Sequence, residues 1–427
     1  MDNIRNIVFD FDGTLMDTAP LILGTMKATI EKLGLEPHTD EEYRATIGLR
    51  LEEIPAALWQ ATPEVGELYA ATYRRIFNEL KQSFQVECFP GVIDTLKLLH
   101  ADGYRMAIAS SRNRKSLQEY VDSFDISDCF TMLVGGDDVF QGKPAPDPVL
   151  KILGSCGWKA TEAITVGDAS VDILMGRAAG TATCAVTYGN GTMEELLSSE
   201  PTFMIDTFNA LRPIVRGANP EIVKYVEHSI IPRYDDFDKA HRRDHVRMVI
   251  DQSLCLLRRL PELNIDMAYC IAAFHDLGLV DGRENHHIAS GKILESDSFI
   301  RTYFTEQQID IMKEAVEDHR ASGKTKPRSL YGMVVADADR FIEAETIIRR
   351  TIQYGLANYP DLDRAGHHTR ALQHLKVKYG SEGYLKVWLP WGENIERLQH
   401  LRTIIENPHL LDDLFNRIFD EETKNRG

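Results

Sequence analysis

Five short apolar runs recur along the first half of the chain, each bounded by Gly, Asp or Ser. Continuous apolar runs of this length are typical of strands buried on both faces of a parallel sheet. Parallel sheets bind ligands beyond the carboxyl ends of their strands, so polar side chains at those ends predict a site at one sheet edge. The runs span residues 7–9, 106–109, 132–134, 163–166 and 183–186, and four of them lead into Asp10, Ser110, Asp137 and Asp168.

Between residues 15 and 88 the apolar spacing is helical, which predicts a helical cap inserted directly after the first strand. Beyond the segment RPIVRGANP at 212–220, strand signals almost vanish and apolar residues recur every three or four positions. We therefore expect an α/β domain over residues 1–212, a linker over 213–220 and an all-helical domain over 221–427.

The charge balance argues against several classes of protein. Lys and Arg total 48 against 65 Asp and Glu, for a net charge of -17, which disfavours nucleic-acid and membrane-surface partners. The six cysteines form no CxxC pair, and no apolar run approaches the length of a membrane span or follows a basic start. These features predict a cytoplasmic protein with reduced thiols.

The segment VFDFDGTLMDT places Asp10 at a strand end and Asp12 two residues later. Carboxylates crowded in this way repel one another unless a cation lies between them. A carboxylate can also attack phosphorus when a metal and a lysine balance the charge. The partners that such a reaction needs follow in order along the chain: Ser110, Lys143, Asp168 and Asp172.

At these residues, and in FPGV and GKPAPDP, the chain resembles the haloacid dehalogenase-like superfamily, in the branch with a helical cap. The resemblance covers residues 1–212 and implies a Rossmann-like parallel sheet and an Mg²⁺-dependent reaction through an aspartyl-phosphate. It implies that Asp10 is the nucleophile and Asp12 the general acid/base, and that Ser110 and Lys143 bind the phosphoryl group. The implied Mg²⁺ ligands are Asp10, the carbonyl of Asp12, Asp168 and Asp172.

The namesake dehalogenases lack the acids that correspond to Asp12, Asp168 and Asp172, so the resemblance favours a phosphatase. A phosphotransferase resembling β-phosphoglucomutase shares the same core residues and stays open. The segments VTYGNGTMEEL and PTFMIDTFNAL are similar to phosphoglycolate phosphatases, which implies a small phosphorylated metabolite, phosphoglycolate-like or a sugar phosphate. Residues 46–50 of the cap are a candidate for choosing between substrates.

Twelve of the 14 histidines follow residue 212, so the two halves are expected to carry different chemistry. His275 and Asp276 end an apolar helical stretch just before Gly278, and packing alone explains such a pair poorly. Mixed imidazole and carboxylate ligands suit Mn, Fe, Co, Ni, Zn or Mg ions without selecting one of them.

This pattern resembles the HD superfamily of metal-dependent phosphohydrolases over residues 222–345. The resemblance implies one or two divalent metals held by His245, His275, Asp276 and Asp339, with His287 and His319 as further ligands for a second ion. His286 could take the place of His287, and Asp337 is a poorer candidate than Asp339. His241, one helical turn before His245, is a candidate supporting residue.

The second half could hydrolyse another phosphate ester, or bind a ligand such as a nucleotide and regulate the first half without turnover. A catalytically dead scaffold is disfavoured because every mapped position keeps its expected residue. Residues 346–427 carry no recognisable catalytic pattern, and the oligomeric state is left open.

Overall fold

The structure, a computed structural model, describes residues 4–237, 241–320, 325–340 and 342–424. The chain divides into two compact units, Met1–Lys224 and Tyr225–Gly427. The boundary falls just beyond the end of the expected linker.

The first unit is built on a parallel six-stranded sheet in the order β5-β4-β1-β6-β7-β8. The five apolar runs form five of these strands, which confirms the predicted α/β class. The sixth, β8 at the sheet edge, was not among the predicted strands, although its three apolar residues are also followed by an aspartate. The eight strands of the chain are β1 (Asn6–Phe9), β2 (Met16–Asp17), β3 (Glu87–Cys88), β4 (Arg105–Ala109), β5 (Phe130–Val134), β6 (Ala163–Gly167), β7 (Ala182–Val186) and β8 (Phe203–Ile205).

Helices follow most strands of this sheet and cover it. The helices of the first unit, the last of which reaches the unit boundary, are α1 (Ala19–Leu33), α2 (Asp40–Arg44), α3 (Ile54–Trp59), α4 (Pro63–Leu80), α5 (Val92–Ala101), α6 (Arg114–Ser123), α7 (Asp147–Cys156), α8 (Ser170–Ala178), α9 (Met193–Ser198), α10 (Leu211–Val215) and α11 (Pro220–Tyr225).

Helices α1 to α4 form the cap, which is inserted between the two strands of a small antiparallel ribbon. In that ribbon Met16 pairs with Cys88 and Asp17 pairs with Glu87. The cap has its own core, in which Tyr69, Tyr73 and Phe77 stack along one face of α4 with ring centroids 6.2 and 5.9 Å apart. The cap therefore leaves and re-enters the core domain at adjacent points.

The segment expected to be a linker is partly helical. Pro213 lies inside α10, and residues 211–215 are all buried in the first unit. Arg212 is 1% exposed and its Nε donates a 2.9 Å hydrogen bond to Asp102. The two prolines and the glycine of this segment thus belong to short, packed helices and the turn between them.

The described residues of the second unit form helices joined by loops, with no strand among them, which confirms the predicted all-α class. Helices α12, α13, α16 and α17 pack against one another, and a separate apolar core joins α18 to α21. Its helices are α12 (Arg243–Leu257), α13 (Ile265–Phe274), α14 (His286–Ser296), α15 (Ile300–Tyr303), α16 (Glu306–Asp318), α17 (Leu330–Ala338), α18 (Ala344–Asn358), α19 (Arg364–Tyr379), α20 (Glu393–Glu406) and α21 (Pro408–Lys424).

Among the described residues, every helix is too short or too polar to span a bilayer. All six cysteines are free thiols, as their spacing predicted.

Candidate active site and metal centres

Three carboxylates meet at the carboxyl edge of the parallel sheet. Asp10 directly follows β1, Asp168 directly follows β6, and Asp172 lies in the first turn of α8. Each is at most 4% exposed, and one oxygen from each lies within 4.8 Å of the others. Because β1 and β6 are paired neighbours in register, the sheet itself brings the acids together.

Lys143 is the cation within this cluster. Its side chain is 1% exposed, its Nζ donates a hydrogen bond to Asp10, and it lies 2.5 Å from Asp172 Oδ1. One ammonium facing three buried carboxylates leaves an excess of negative charge, and such an excess favours a bound divalent cation. Hard carboxylate oxygens are the ligands that Mg²⁺ prefers, so these residues fit that ion.

The supports of Asp168 fix the direction of its carboxylate. Thr14 Oγ1 donates to Asp168 Oδ1 at 2.9 Å, and the backbone N–H of Asn190 donates to Oδ2 at 2.7 Å. Gly13 has a φ of +88°, and a Cβ at that position would lie 2.1 Å from Asp168 Oδ2. The glycine of the DFDGT segment is therefore required both by its backbone conformation and by the close carboxylate.

The crowding of these acids shifts their protonation. Burial, together with the neighbouring Asp172, raises the pKa of Asp10 well above its usual range, although Lys143 opposes the shift. Burial and Asp172 likewise raise the pKa of Asp168 to about 6. Without a metal ion, the site therefore tends to hold a proton that a cation would displace.

Asp12 points to a different set of partners. Its carboxylate accepts hydrogen bonds from Thr18 Oγ1 at 2.7 Å, from Arg112 Nε at 3.1 Å and from Arg112 Nη2 at 2.5 Å. The Asp12 carboxylate is thus outside the cluster of Asp10, Asp168 and Asp172, consistent with the expectation that only its carbonyl would reach a metal there.

Ser110 directly follows β4, beside β1, and is 3% exposed. Its Oγ accepts a 3.2 Å hydrogen bond from the backbone N–H of Arg112. Asp10, Asp12, Ser110 and Arg112 line one cavity of about 740 Å³, whose opposite wall includes residues 46–54 and α4 of the cap. The cavity can enclose a phosphorylated molecule between the cap and the sheet edge.

The second unit contains two ligand groups, and Asp276 of the second group also lies close to the first. His245, His275 and Asp339 form the first group, and Asp276, His286 and His319 form the second. Asp276 Oδ2 lies 3.4 Å from His245 Nε2 and 3.3 Å from His275 Nε2, whereas its Oδ1 lies 3.4 Å from both His286 Nε2 and His319 Nε2. Asp276 therefore lies between the two groups, one oxygen facing each.

Helix ends present these imidazoles. The Nδ1 atoms of His275, His286 and His319 each contact a backbone carbonyl, at 2.8, 2.8 and 2.6 Å. A donor at Nδ1 leaves the Nε2 lone pair facing the cluster, which is the arrangement seen in metal-ligating histidines. Tyr234 supports the same segment, because its hydroxyl donates a 2.8 Å hydrogen bond to the carbonyl of Ala273.

The pKa shifts of His245 and Asp276 are those expected where a buried negative charge attracts cations. Burial alone would lower the pKa of His245, but Asp276 and Asp339 more than offset it and raise that pKa to about 9. Although burial opposes the shift, the surrounding histidines hold the pKa of Asp276 well below its usual range. In the metal-free protein, a proton on His245 therefore takes the place that this residue offers to a divalent cation.

His287 is not brought into either group, and His286 takes the position for which it was the alternative. Both begin α14, and adjacent helical residues point in different directions, so only one of them can face the cluster. Asp337 is also outside both groups. It accepts hydrogen bonds from Arg340 and from the backbone of Trp388 and Leu389. His241 stacks edge-on against His245 at 5.7 Å.

Sequence reasoning left several supporting residues without a role. Thr14 and Asn190 were not identified as partners of Asp168, although both lie in segments that carried the family resemblance. The pairing of Arg112 with Asp12 was not predicted either, because the two residues are 100 positions apart and nothing in the sequence near either one indicates the contact.

Comparisons with known proteins agree with this division of the chain. Residues 7–186 match the family model of the haloacid dehalogenase-like hydrolases, and residues 242–344 match that of the HD domain. A phosphoglycolate phosphatase of Salmonella paratyphi A is 31% identical over 234 residues, which cover 50% of this chain and 93% of that protein.

Two further relatives align over a similar share of this chain. The pyrophosphatase PpaX of Halalkalibacterium halodurans is 32% identical, with 50% of this chain and 97% of that protein covered. Phosphoglycolate phosphatase 1 of Pseudomonas aeruginosa is 29% identical, with 49% of this chain and 79% of that protein covered. About half of this chain thus lies outside each alignment.

Proposed function

Because the chain belongs to the haloacid dehalogenase-like hydrolases, is a phosphatase of that family and carries an HD domain in its second half, we propose that its first unit hydrolyses a small phosphomonoester through an aspartyl-phosphate on Asp10. The observation that carries this proposal is the meeting of Asp10, Lys143 and Asp168 in one buried cluster.

In the proposed reaction the Asp10 carboxylate attacks phosphorus and the bond from phosphorus to the leaving oxygen breaks. Asp12 gives its proton to that oxygen, and in the second step it takes a proton from the water that cleaves the aspartyl-phosphate. Ser110 and Lys143 hold the phosphoryl oxygens. Mg²⁺ held by Asp10, Asp168, Asp172 and the Asp12 carbonyl would neutralise the charge that these acids and the phosphate bring together.

We propose substrates in which the phosphate is joined to a small acidic group. Phosphoglycolate and pyrophosphate, the compounds in the names of the relatives, both have a second acidic group beside the reacting phosphate. Both would occupy only part of a cavity of about 740 Å³, so a sugar phosphate is a second candidate.

The full chain with Mg²⁺ should release inorganic phosphate from such compounds, and Asp10→Asn should remove that activity because an amide is a poor nucleophile. Asp128→Asn, at an exposed position just before β5 and outside the cavity, provides the control. Retention of activity by Asp10→Asn would contradict the proposal. Formation of an isomerised sugar phosphate without release of phosphate would favour the β-phosphoglucomutase-like alternative.

For the second unit, we propose a two-metal site that hydrolyses another phosphate ester. The placement of Asp276 between the groups of His245 and His319 supports this, because two neighbouring cations can bind a phosphate ester and lower the pKa of a water. The protein should be tested on phosphodiesters and nucleotides with Mn²⁺, Fe²⁺ and Zn²⁺. Turnover lost in Asp276→Ala but kept in Asp10→Asn would support the proposal, and nucleotide binding without turnover would favour a regulatory module.

A further inference from the structure

We propose that Arg112 selects substrates by pairing with a second anionic group, and that this pairing releases Asp12 for proton transfer. This inference rests on the proposed phosphatase function of the first unit and names the substrate feature that the site recognises.

The first observation is the position of Arg112 in the cavity. Its backbone N–H donates to Ser110 Oγ, two residues earlier, so the backbone of Arg112 contacts the expected phosphate-binding hydroxyl. Its side chain lines the same cavity as Asp10 and Ser110. An anion attached to the reacting phosphate by one or two atoms would therefore lie near this guanidinium.

The second observation is how firmly the guanidinium is held. Its side chain is 9% exposed, and its Cζ lies 5.1 Å from the ring centroids of Phe77 and Tyr120 and 5.7 Å from that of Phe11. Nη1 donates to Ser116 Oγ at 3.2 Å. Aromatic rings on several sides hold the planar group in one orientation, and a fixed fork is suited to bidentate carboxylates and phosphates.

The third observation is the pairing of Arg112 with Asp12. Nε and Nη2 of Arg112 donate to the two different oxygens of Asp12, at 3.1 and 2.5 Å. A carboxylate in this arrangement has both oxygens occupied by one cation, and Oδ1 also accepts from Thr18. The proposed acid/base is thus paired with the residue that a substrate anion would approach.

A substrate anion can exchange with Asp12 because the buried arginine keeps a bidentate partner, while Asp12 keeps the hydrogen bond from Thr18. A neutral substrate group cannot replace Asp12 as the partner of this buried cation, so Arg112 stays paired with Asp12 and the substrate gains no ion pair. The site should therefore discriminate by the charge of the group beside the phosphate. Either a carboxylate or a second phosphate satisfies this chemistry.

The test compares phosphoglycolate with 2-hydroxyethyl phosphate, in which a CH₂OH group replaces the carboxylate. The full chain with Mg²⁺ should favour phosphoglycolate in kcat/KM by about 100-fold, as expected where a site pairs with a substrate group that the analogue lacks. Arg112→Met should reduce this ratio to within a few-fold of one. Arg112→Lys should restore only part of it, because lysine lacks the fork.

Arg74 is a matched control, since it lines the same cavity but is half exposed and ion-paired with Glu52 at 2.5 Å. Arg74→Met should keep the wild-type ratio. Equal losses on both substrates in Arg112→Met, or no preference in the wild type, would overturn the inference.

Calorimetry separates this inference from the proposed reaction. In Asp10→Asn, which the proposed function expects to be inactive, phosphoglycolate should bind with Mg²⁺ more tightly than 2-hydroxyethyl phosphate, and adding Arg112→Met should remove the difference. If Asp10→Asn keeps its activity while the binding preference follows Arg112, the proposed function fails and the inference about Arg112 stands. Equal binding of the two compounds would overturn the inference.

Discussion

The Thr14 hydroxyl donates a 2.9 Å hydrogen bond to the Asp168 carboxylate, and both side chains are buried. The residue that supports this proposed metal ligand therefore comes from the loop after β1, whereas Asp168 itself follows β6. Groups that orient metal ligands in this way typically contribute about 10- to 100-fold to metal affinity.

We expect Thr14→Val, which keeps the side-chain shape, to raise the Mg²⁺ concentration for half-maximal phosphatase activity by about 10-fold. A magnesium titration of the initial rate measures this. Thr25→Val is the control, because Thr25 is also buried but donates to Leu21 within helix α1. An unchanged titration midpoint for Thr14→Val would contradict the supporting role of Thr14.

The raised pKa of Asp168, about 6, predicts a pH-dependent response to Mg²⁺. A carboxyl whose pKa is raised in the folded state contributes stability below its ordinary pKa of 3.8 and loses that contribution as the pH rises through 6. A bound cation should restore it, so Mg²⁺ should raise the melting temperature more at pH 7 than at pH 5.

Thermal melts with and without Mg²⁺ at pH 5, 6 and 7 measure this response, and the same melts of Asp168→Asn isolate the contribution of this site. Mg²⁺ should raise the melting temperature of the wild type more than that of Asp168→Asn, and this excess should grow with pH. A difference that stays constant or shrinks between pH 5 and pH 7 would show that protons and Mg²⁺ do not compete at Asp168.

His286 and His287 offer a matched pair for testing the second metal position. His286 Nε2 lies 3.1 Å from His319 Nε2, whereas His287 belongs to neither ligand group. If the purified wild type contains two ions in the second unit, His286→Ala should keep about one of them and His287→Ala both, as measured by mass spectrometry of bound metals. Loss of an ion only from His287→Ala would assign the ligand to that residue instead.

Asp337 should be important for stability and not for metal binding. It is 1% exposed and accepts hydrogen bonds from Arg340 and from two backbone N–H groups in the segment before α20. Asp337→Ala leaves a buried arginine unpaired, which typically costs about 3–5 kcal/mol.

The thermal transition should therefore fall by several degrees in Asp337→Ala, while metal content stays at the wild-type value. Asp361→Ala, at an exposed position, should change neither quantity. Loss of metal from a well-folded Asp337→Ala would contradict this assignment.

The sequence allowed the sheet and its acidic edge to be predicted because buried parallel strands are continuous apolar runs, and the residue after each run is easily read. Asp10, Ser110 and Asp168 were placed in this way. Contacts between side chains that are far apart in the sequence produce no comparable local pattern. Nothing local to Arg112 reveals Asp12, which lies 100 residues earlier, and nothing in the adjacent His286 and His287 shows which one faces inward.

The mapping of Asp339 over Asp337 depended on family resemblance, and the geometry explains the difference between them. Both residues lie at the end of α17 in the same short acidic segment. Asp339 faces the histidines of α12 and α13, whereas Asp337 accepts hydrogen bonds from the backbone of the segment before α20. Side chains two positions apart on a helix point in directions that differ by more than a right angle. The sequence pattern alone could not show which of the two aspartates faces the histidines.

The ribbon of β2 and β3 has a consequence for how this architecture can vary. Since Met16 pairs with Cys88 and Asp17 with Glu87, everything between those strands is attached to the rest of the first unit at two adjoining backbone positions. A lid of different length or sequence could be grafted there while β1, β4 and β6 keep their register. New specificities could in this way arise by exchanging one contiguous segment, with the reacting groups left untouched.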